Sequence, residues 1–314
     1  MIPQFSVVIP IFNEEENIPE LYRRITPVME NLTANEDNHN RSFEILLVND
    51  GSTDHSWELI EELHKKDKRV KGIQFSRNFG HHIAITAGLD YAKGDYVILM
   101  DGDLQDQPEE IYKLYNKITE GYDLVYGIRM DRQDPLLKKM TSALFWWILR
   151  KSSNVNMPTG QTMLRILSRR LVNAMKEMKE HARFVHGMMA WAGFKTAQIE
   201  VKHKARYRGE SKYNLARMFK LAFHAATSFS TVPLRLATYS GFFCSITSLF
   251  FGLFFIIQRL FYGVSVSGYS STIVAIFFVG GIQLLVLGMF GEYLGRTYQE
   301  VQQRPLYIIQ DSFL

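Results

Sequence analysis

The sequence predicts an α/β domain built on a mostly parallel sheet, followed by two C-terminal transmembrane helices. Three observations carry that reading. Strand-like and helix-like patterns alternate through the first 130 residues. Residues 236–258 and 269–291 contain no charged side chain. The apolar run Tyr96–Met100 stops abruptly at a group of carboxylates, Asp101, Asp103 and Asp106.

Phe5–Phe12, Phe43–Val48, Val70–Phe75, Tyr96–Met100 and Leu124–Tyr126 read as strands. They are short apolar runs, rich in β-branched and aromatic residues, bounded by turn formers. Between them, Glu14–Leu32, Asp54–Lys66, Gly80–Tyr91 and Pro108–Glu120 carry apolar residues at helical spacing. Asp54 is placed to cap its helix and Pro108 suits a first helical turn. The polar stretch Thr33–Arg41 reads as a loop. Such alternation gives a parallel sheet with helices on both faces and ligands at the carboxyl ends of its strands.

Each uncharged stretch is long enough to cross a hydrocarbon core of roughly 30 Å as a helix. Leu136–Lys151 and Tyr213–Ser230 mix apolar and aromatic residues with Lys and Arg, which suits the membrane interface. The chain therefore divides into an α/β domain over 1–212, a juxtamembrane amphipathic helix over 213–232, two transmembrane helices over 233–295 and a tail over 296–314. The start has no basic region followed by an apolar one, so no cleaved signal peptide is expected. Arg235 precedes the first span, and Arg296 and Arg304 follow the second. The positive-inside rule and an even number of spans place the α/β domain and both termini in the cytoplasm. Arg259, between the spans, runs against that bias.

The 314 residues fit about two structural units, and the net charge of +4 calls for no nucleic-acid partner. Charge is concentrated locally: Lys195–Lys220 holds eight Lys or Arg against two Glu. Cys244 is the only cysteine, which excludes an intramolecular disulfide and a multi-cysteine zinc site. Gly280, Gly281, Gly288 and Gly291 would let helices approach closely, as in a homo-oligomer.

Four strand ends carry polar clusters. Pro10-Ile11-Phe12-Asn13-Glu14-Glu15 follows the first strand and Val48-Asn49-Asp50-Gly51-Ser52-Thr53-Asp54 ends the second. Together they could hold a base and ribose, with Asp50 accepting from a base N–H or a ribose hydroxyl. Asn13 and Asp54 could equally cap helices. In Ser76-Arg77-Asn78-Phe79-Gly80, backbone amides ahead of a helix could meet an anion. The fourth is Asp101-Gly102-Asp103. Carboxylates at i and i+2 can both face a hard cation, and Mg2+ or Mn2+ commonly binds through one or two carboxylates plus substrate phosphates. On successive parallel strands these clusters would converge on one edge. No His/Glu spacing suggests zinc, and His81-His82 reads as structural or solvated.

Val7–Glu14, Val48–Asp54 and Asp101–Asp106 resemble the signature of the family-two, GT-A-fold glycosyltransferases. Arg206-Tyr207-Arg208-Gly209-Glu210-Ser211-Lys212-Tyr213 and the two spans narrow the resemblance to polyprenyl-phosphate glycosyltransferases, a group that includes bactoprenol glucosyltransferases and dolichol-phosphate mannose synthase. It covers nearly the whole chain. It implies a GT-A sheet, a nucleotide-sugar donor, a polyprenyl-phosphate acceptor, a bilayer and Mg2+ or Mn2+. Pro10, Phe12, Glu14, Asp50, Asn78, Asp101, Gly102 and Asp103 would meet the nucleotide sugar. Asp101 and Asp103 would hold the metal, with Gln105 nearby. Arg129, Arg132, Arg206, Ser211 and Lys212 would face the acceptor phosphate. Catalysis would rest on Asp101, Asp103, Arg129, Arg206 and Lys212. One departure stands out: relatives often carry Asp-Thr-Gly-Asp-Phe-Arg, whereas this chain has Gly160-Gln161-Thr162-Met163-Leu164-Arg165, lacking both aspartates.

That loss is tolerable. A lipid monophosphate has a second pKa near about 6 and attacks without surrendering a proton. The sequence thus reads as an inverting enzyme of the cytoplasmic membrane, moving a hexose, glucose from UDP-glucose, onto undecaprenyl phosphate. The rivals are a GDP-mannose-dependent mannosyltransferase, a processive polysaccharide synthase and a non-catalytic nucleotide-sugar-binding scaffold.

Overall fold

The computed structural model describes residues 3–34, 42–129, 160–181, 183–202, 232–262 and 268–314. Its first unit is a three-layer α/β/α domain. An eight-stranded sheet takes the order β7-β5-β6-β4-β1-β2-β3-β8. Strands β1 (Phe5–Ile11), β2 (Phe43–Asn49), β3 (Val70–Phe75) and β4 (Tyr96–Leu99) are parallel neighbours. Strand β5 (Leu124–Arg129) runs parallel to β7 (Thr196–Val201). Antiparallel β6 (Gln161–Ser168) joins β5 to β4, and antiparallel β8 (Ile309–Phe313) closes the far edge on β3. The sheet is mostly parallel, as the alternation predicts.

Helices cover both faces because side chains alternate along each strand. Val7, Ile9, Ile11, Ile45 and Leu47 pack under α1 (Ile18–Ala34), α2 (Ser56–Lys66) and α4 (Ile111–Ile118). Val8, Leu46, Val48, Val97 and Leu99 pack under α3 (His81–Tyr91), α5 (Arg169–Glu177) and α6 (Val185–Trp191). Every residue of β1 and β2 is buried, which is why they are largely apolar; the buried Ser6 hydroxyl donates to Glu44 Oε1 (2.6 Å) across the pair. A fully buried Val or Ile contributes about 1.5–3 kcal/mol. Gly88 sets the approach of α3: a Cβ there would sit 2.1 Å from Val8 Cγ1.

Several boundaries differ from expectation. Helix α1 starts at Ile18 rather than Glu14, because the Glu14 carbonyl accepts from the Asn17 and Ile18 amides in a preceding turn. Helix α2 starts at Ser56, so Asp54 is not its N-cap. Instead Asp54 uses one oxygen on the Ser56 amide and the other on the Glu15 amide. Pro108 does open a helical turn, a 3-10 turn over Pro108–Glu110 ahead of α4. Strand β5 runs on to Arg129. Strands β6, β7 and β8 and helices α5 and α6 were not anticipated. Arg304–Leu314 belongs to this first unit, through β8.

The second unit contains α7 (Val232–Tyr262) and α8 (Tyr269–Gln302). Phe242, Phe243 and Phe250 on α7 and Leu284, Leu285 and Leu287 on α8 are exposed. Among the described residues, one segment has the length and apolarity of a membrane crossing: the 25 residues Phe278–Gln302 of α8, whose most apolar 18-residue stretch has a mean hydropathy of 1.4. The interfacial segments expected at Leu136–Lys151 and Tyr213–Ser230 lie outside the described residues.

Candidate active site

The parallel order of β4, β1, β2 and β3 brings their carboxyl ends to one edge, and the polar clusters meet there. The loops after β1 and β2 are laced together. The Asn13 amide donates to Ser52 Oγ (3.0 Å) and the Thr53 amide to Asn13 Oδ1 (2.8 Å). The Glu14 amide donates to Ser56 Oγ (3.1 Å), and the His55 amide to Glu15 Oε2 (2.8 Å). Asn13 holds a left-handed φ of 56°, a conformation Asn tolerates. Pro10 is buried, Glu14 half-buried and Phe12 40% exposed.

Asp50 is buried, and its carboxylate receives the amides of Phe79 (2.7 Å) and Gly80 (3.0 Å). Burial pushes its pKa up and the two amides pull it down, the rise prevailing. The loop after β3 is therefore clamped to the loop after β2, and those two amides already have a protein acceptor. Gly51 makes the approach feasible, with φ +65° and a would-be Cβ 2.5 Å from the Arg77 carbonyl carbon. Asn78 is exposed on the same loop.

The turn after β4 carries the carboxylates. Gly102 is buried beneath Ile11, and a Cβ there would meet Ile11 Cδ1 at 3.0 Å. Asp103 Oδ1 accepts from the Gln105 amide (3.1 Å), and Leu104 takes a left-handed φ of 58°. Asp106 Oδ2 accepts from the Leu164 amide (3.0 Å), tying the turn to β6. Asp101 Oδ1 is buried with no hydrogen-bond partner; His81 Nε2 is 3.6 Å away. Protein crowds this carboxyl, though 36% of the side chain still reaches solvent. Burial, then Asp103 and Asp106, push its pKa up to about 7, against the pull of Arg165.

These features fit a divalent cation: an orphaned carboxylate oxygen among mutually repelling carboxylates. Among the described residues no three His, Cys, Asp or Glu side chains converge as a complete metal cage. A two-carboxylate site finished by substrate oxygens is the arrangement Mg2+ ordinarily takes.

Arg129 ends β5 at the same edge and is exposed, its amide donating to the Gly160 carbonyl (3.2 Å). Arg132, Arg206, Ser211 and Lys212 lie outside the described residues. Three residues at the site went unassigned from sequence. Arg165 on β6 is 1% exposed, donating to the carbonyls of Thr162 (2.6 Å) and Met163 (3.3 Å). Burial lowers its pKa to about 10, still charged at neutral pH. Phe184 and His186, at the start of α6, stand against His82.

A doubly covered, mostly parallel sheet with an Asp-Gly-Asp turn at its carboxyl edge is the architecture of a nucleotide-sugar transferase. Residues 6–179 match the model of glycosyl transferase family 2, and the chain belongs to that family. It is 42% identical over 311 residues to an uncharacterised glycosyltransferase of Bacillus subtilis, covering 99% of this chain and 94% of that one. It is 40% identical to the prophage-derived bactoprenol glucosyl transferase of Shigella flexneri, over 98% of both chains. It is 39% identical to the undecaprenyl-phosphate 4-deoxy-4-formamido-L-arabinose transferase of Shewanella sediminis, over 98% of this chain and 91% of that one. Among solved structures, glucosyl-3-phosphoglycerate synthase of Mycobacterium tuberculosis, determined with Mn2+, UDP and glucosyl-3-phosphoglycerate, shares the fold. Its TM-score is 0.51 at 19% identity, covering 73% of this chain and 80% of that one.

Proposed function

We propose that this chain is an inverting, metal-dependent hexosyltransferase that moves glucose from UDP-glucose onto a polyprenyl phosphate at the cytoplasmic face of a membrane. The observation that carries the reading is the near-full-length likeness to transferases named for bactoprenol and undecaprenyl phosphate, which spans the sheet and the helices α7 and α8 alike.

The nucleoside would lie against Pro10, Phe12, Glu14, Asp50 and Asn78, with the diphosphate over Asp101, Gly102 and Asp103. A divalent cation held by Asp101 and Asp103 would neutralise charge on the departing diphosphate. Arg129, with Arg132, Arg206, Ser211 and Lys212, would hold the lipid phosphate. A phosphate oxygen attacks the anomeric carbon as the bond from that carbon to the diphosphate oxygen breaks. The bonding pair leaves with the nucleoside diphosphate, and the configuration inverts. No proton moves, so Met163 and Gly160 can stand where relatives carry carboxylates. The chain's work is positioning and charge stabilisation.

Membrane topology has support from the sheet itself. Strand β8 follows α8 and pairs with β3, which precedes α7. One crossing between them would put the two partners on opposite sides of the bilayer. That pairing supports an even number of crossings, with α7 and α8 crossing together. Purified protein given a short polyprenyl phosphate, Mn2+ and either UDP-glucose or GDP-mannose tests the reading. Glucosyl lipid from UDP-glucose is expected; mannosyl lipid would transfer the reading to a GDP donor, and no lipid product from either would end it.

A further inference from the structure

Helix α3 opens at Gly80 with two consecutive histidines, and α6 brings two more rings to them. The His82 ring lies 5.7 Å from His81, 5.5 Å from Phe184 and 5.7 Å from His186. Its angles to Phe184 and His186 are 80° and 86°, edge-to-face packing. Phe184 and His186 are themselves 5.6 Å apart. The cluster touches the carboxylate turn through His81, whose Nε2 is 3.6 Å from Asp101 Oδ1. His82, Phe184 and His186 are each half-buried, so part of this surface stays open.

The position is informative. Pro10, Phe12 and Asp50 follow β1 and β2. The ring cluster borders Asp101 on the face covered by α3 and α6, where Arg165 of β6 acts electrostatically on both His82 and His186. A donor laid across the edge with its nucleoside at β1 and β2 and its diphosphate at Asp101 and Asp103 would extend its sugar toward these rings.

The chemistry selects among ligands. A zinc site is not built, since no three ligating side chains among the described residues converge on one point. A phosphate is disfavoured, because burial and the neighbouring Arg165 keep His82 and His186 uncharged at neutral pH. A neutral imidazole offers one donor and one acceptor, the combination a hydroxyl matches. His82 Nδ1 is buried and has no protein partner, a polar atom left for a ligand hydroxyl to satisfy. Aromatic surface with a few polar atoms suits a pyranose, which presents C–H faces and a rim of hydroxyls.

We propose that His82, Phe184 and His186 form the hexose-recognition face of the donor site. The proposal rests on the nucleotide-sugar reading above and adds which residues distinguish the sugar. The test is equilibrium binding by titration calorimetry, with full-length protein in nanodiscs and Mn2+ present. The donor that the wild type binds, UDP-glucose or GDP-mannose, is compared with its own nucleoside diphosphate. In His82→Ala, His186→Ala and Phe184→Leu, affinity for the donor should fall about tenfold. Affinity for the nucleoside diphosphate should stay within about twofold, which also shows that each variant is folded. His82→Asn and His186→Gln, which keep a donor and an acceptor, should recover part of the loss. If His186→Ala loses its cooperative melt, His186→Gln and Phe184→Leu carry the comparison. Parallel losses for both ligands, or unchanged donor affinity, would overturn the proposal while leaving the nucleotide-sugar reading intact. A wild type that binds neither donor would overturn both.

Discussion

Tyr307 donates a 2.9 Å hydrogen bond to Asp90 Oδ2, joining two residues 217 positions apart in the chain. The Tyr307 ring also stacks on Phe75 at 5.1 Å. The Ser76 amide donates to the Ile308 carbonyl (3.0 Å), and Phe313 stacks on Trp57 at 5.0 Å. The segment that follows α8 is thus built into the sheet beside the loop carrying Arg77, Asn78 and Gly80. Burial, then Asp90, raise the Tyr307 pKa, so the phenol stays a donor.

Tyr307→Phe should keep the stack and lose about 1 kcal/mol, the usual net worth of one hydrogen bond. Tyr307→Ala should lose two to three times as much, because the ring contact with Phe75 goes too. Thermal melts of the two variants check this. Equal losses would show that the stack contributes nothing.

The pairing of β8 with β3 constrains topology. A reporter after Leu314 should lie on the same side of the membrane as the sheet, and a cysteine at Ser267 should be labelled only from the opposite side. Labelling of Ser267→Cys from the cytoplasm alone would remove the two-span arrangement.

Strands β1 to β4 are legible because they are short, mostly buried runs rich in β-branched and aromatic residues, and each ends in turn-forming polar residues. Strand β8 was not legible, since Ile309-Gln310-Asp311-Ser312-Phe313 is polar and largely exposed at a sheet edge. Strand β7 hid for the same reason, with alternate residues exposed. The Asp50 motif was visible, but its bonds to the Phe79 and Gly80 amides depend on two loops meeting at Gly51, which no local pattern encodes. From sequence His81 and His82 read as structural or solvated, because the rings that pack on His82, Phe184 and His186, arrive on a helix remote in sequence.

The proposed metal site is tested at Asp103. Asp103→Ala should abolish most turnover while the protein still folds, since the carboxylate's bond to the Gln105 amide lies within a single turn of chain. Full activity of that variant in excess chelator would remove the metal from Asp103.

Asp101 yields the pH dependence. Its folded pKa of about 7 is raised above the unfolded value, so the contribution is fully present below about pH 4 and is lost as pH rises through about 7. With solvent reaching part of the side chain, the cost above pH 7 is about 1–2 kcal/mol rather than the full shift. Asp101→Asn should therefore raise the melting temperature of metal-free protein at pH 8 and leave it nearly unchanged at pH 4. Mn2+ should stabilise the wild type at pH 8 and the variant much less. A variant no more stable than the wild type at pH 8 would show that the carboxylate is not under strain.

The acceptor clamp separates the two halves of the proposed reaction. Arg206, Ser211 and Lys212 precede α7 in the stretch where positive charge is concentrated. A lipid phosphate is dianionic at neutral pH and would repel the donor diphosphate unless cations stood between them. Arg offers paired, directional donors and Lys a mobile point charge, so the two are not interchangeable there. Arg206→Ala and Lys212→Ala should each lower transfer to lipid phosphate about a hundredfold or more, while donor affinity changes less than about threefold. Donor affinity by calorimetry and turnover against acceptor concentration are measured separately for this purpose. Lost donor affinity with an unchanged acceptor dependence would assign these cations to the donor diphosphate. Phosphate recognition would then fall to Arg129 and Arg132, and Arg129→Ala should show the acceptor defect in their place.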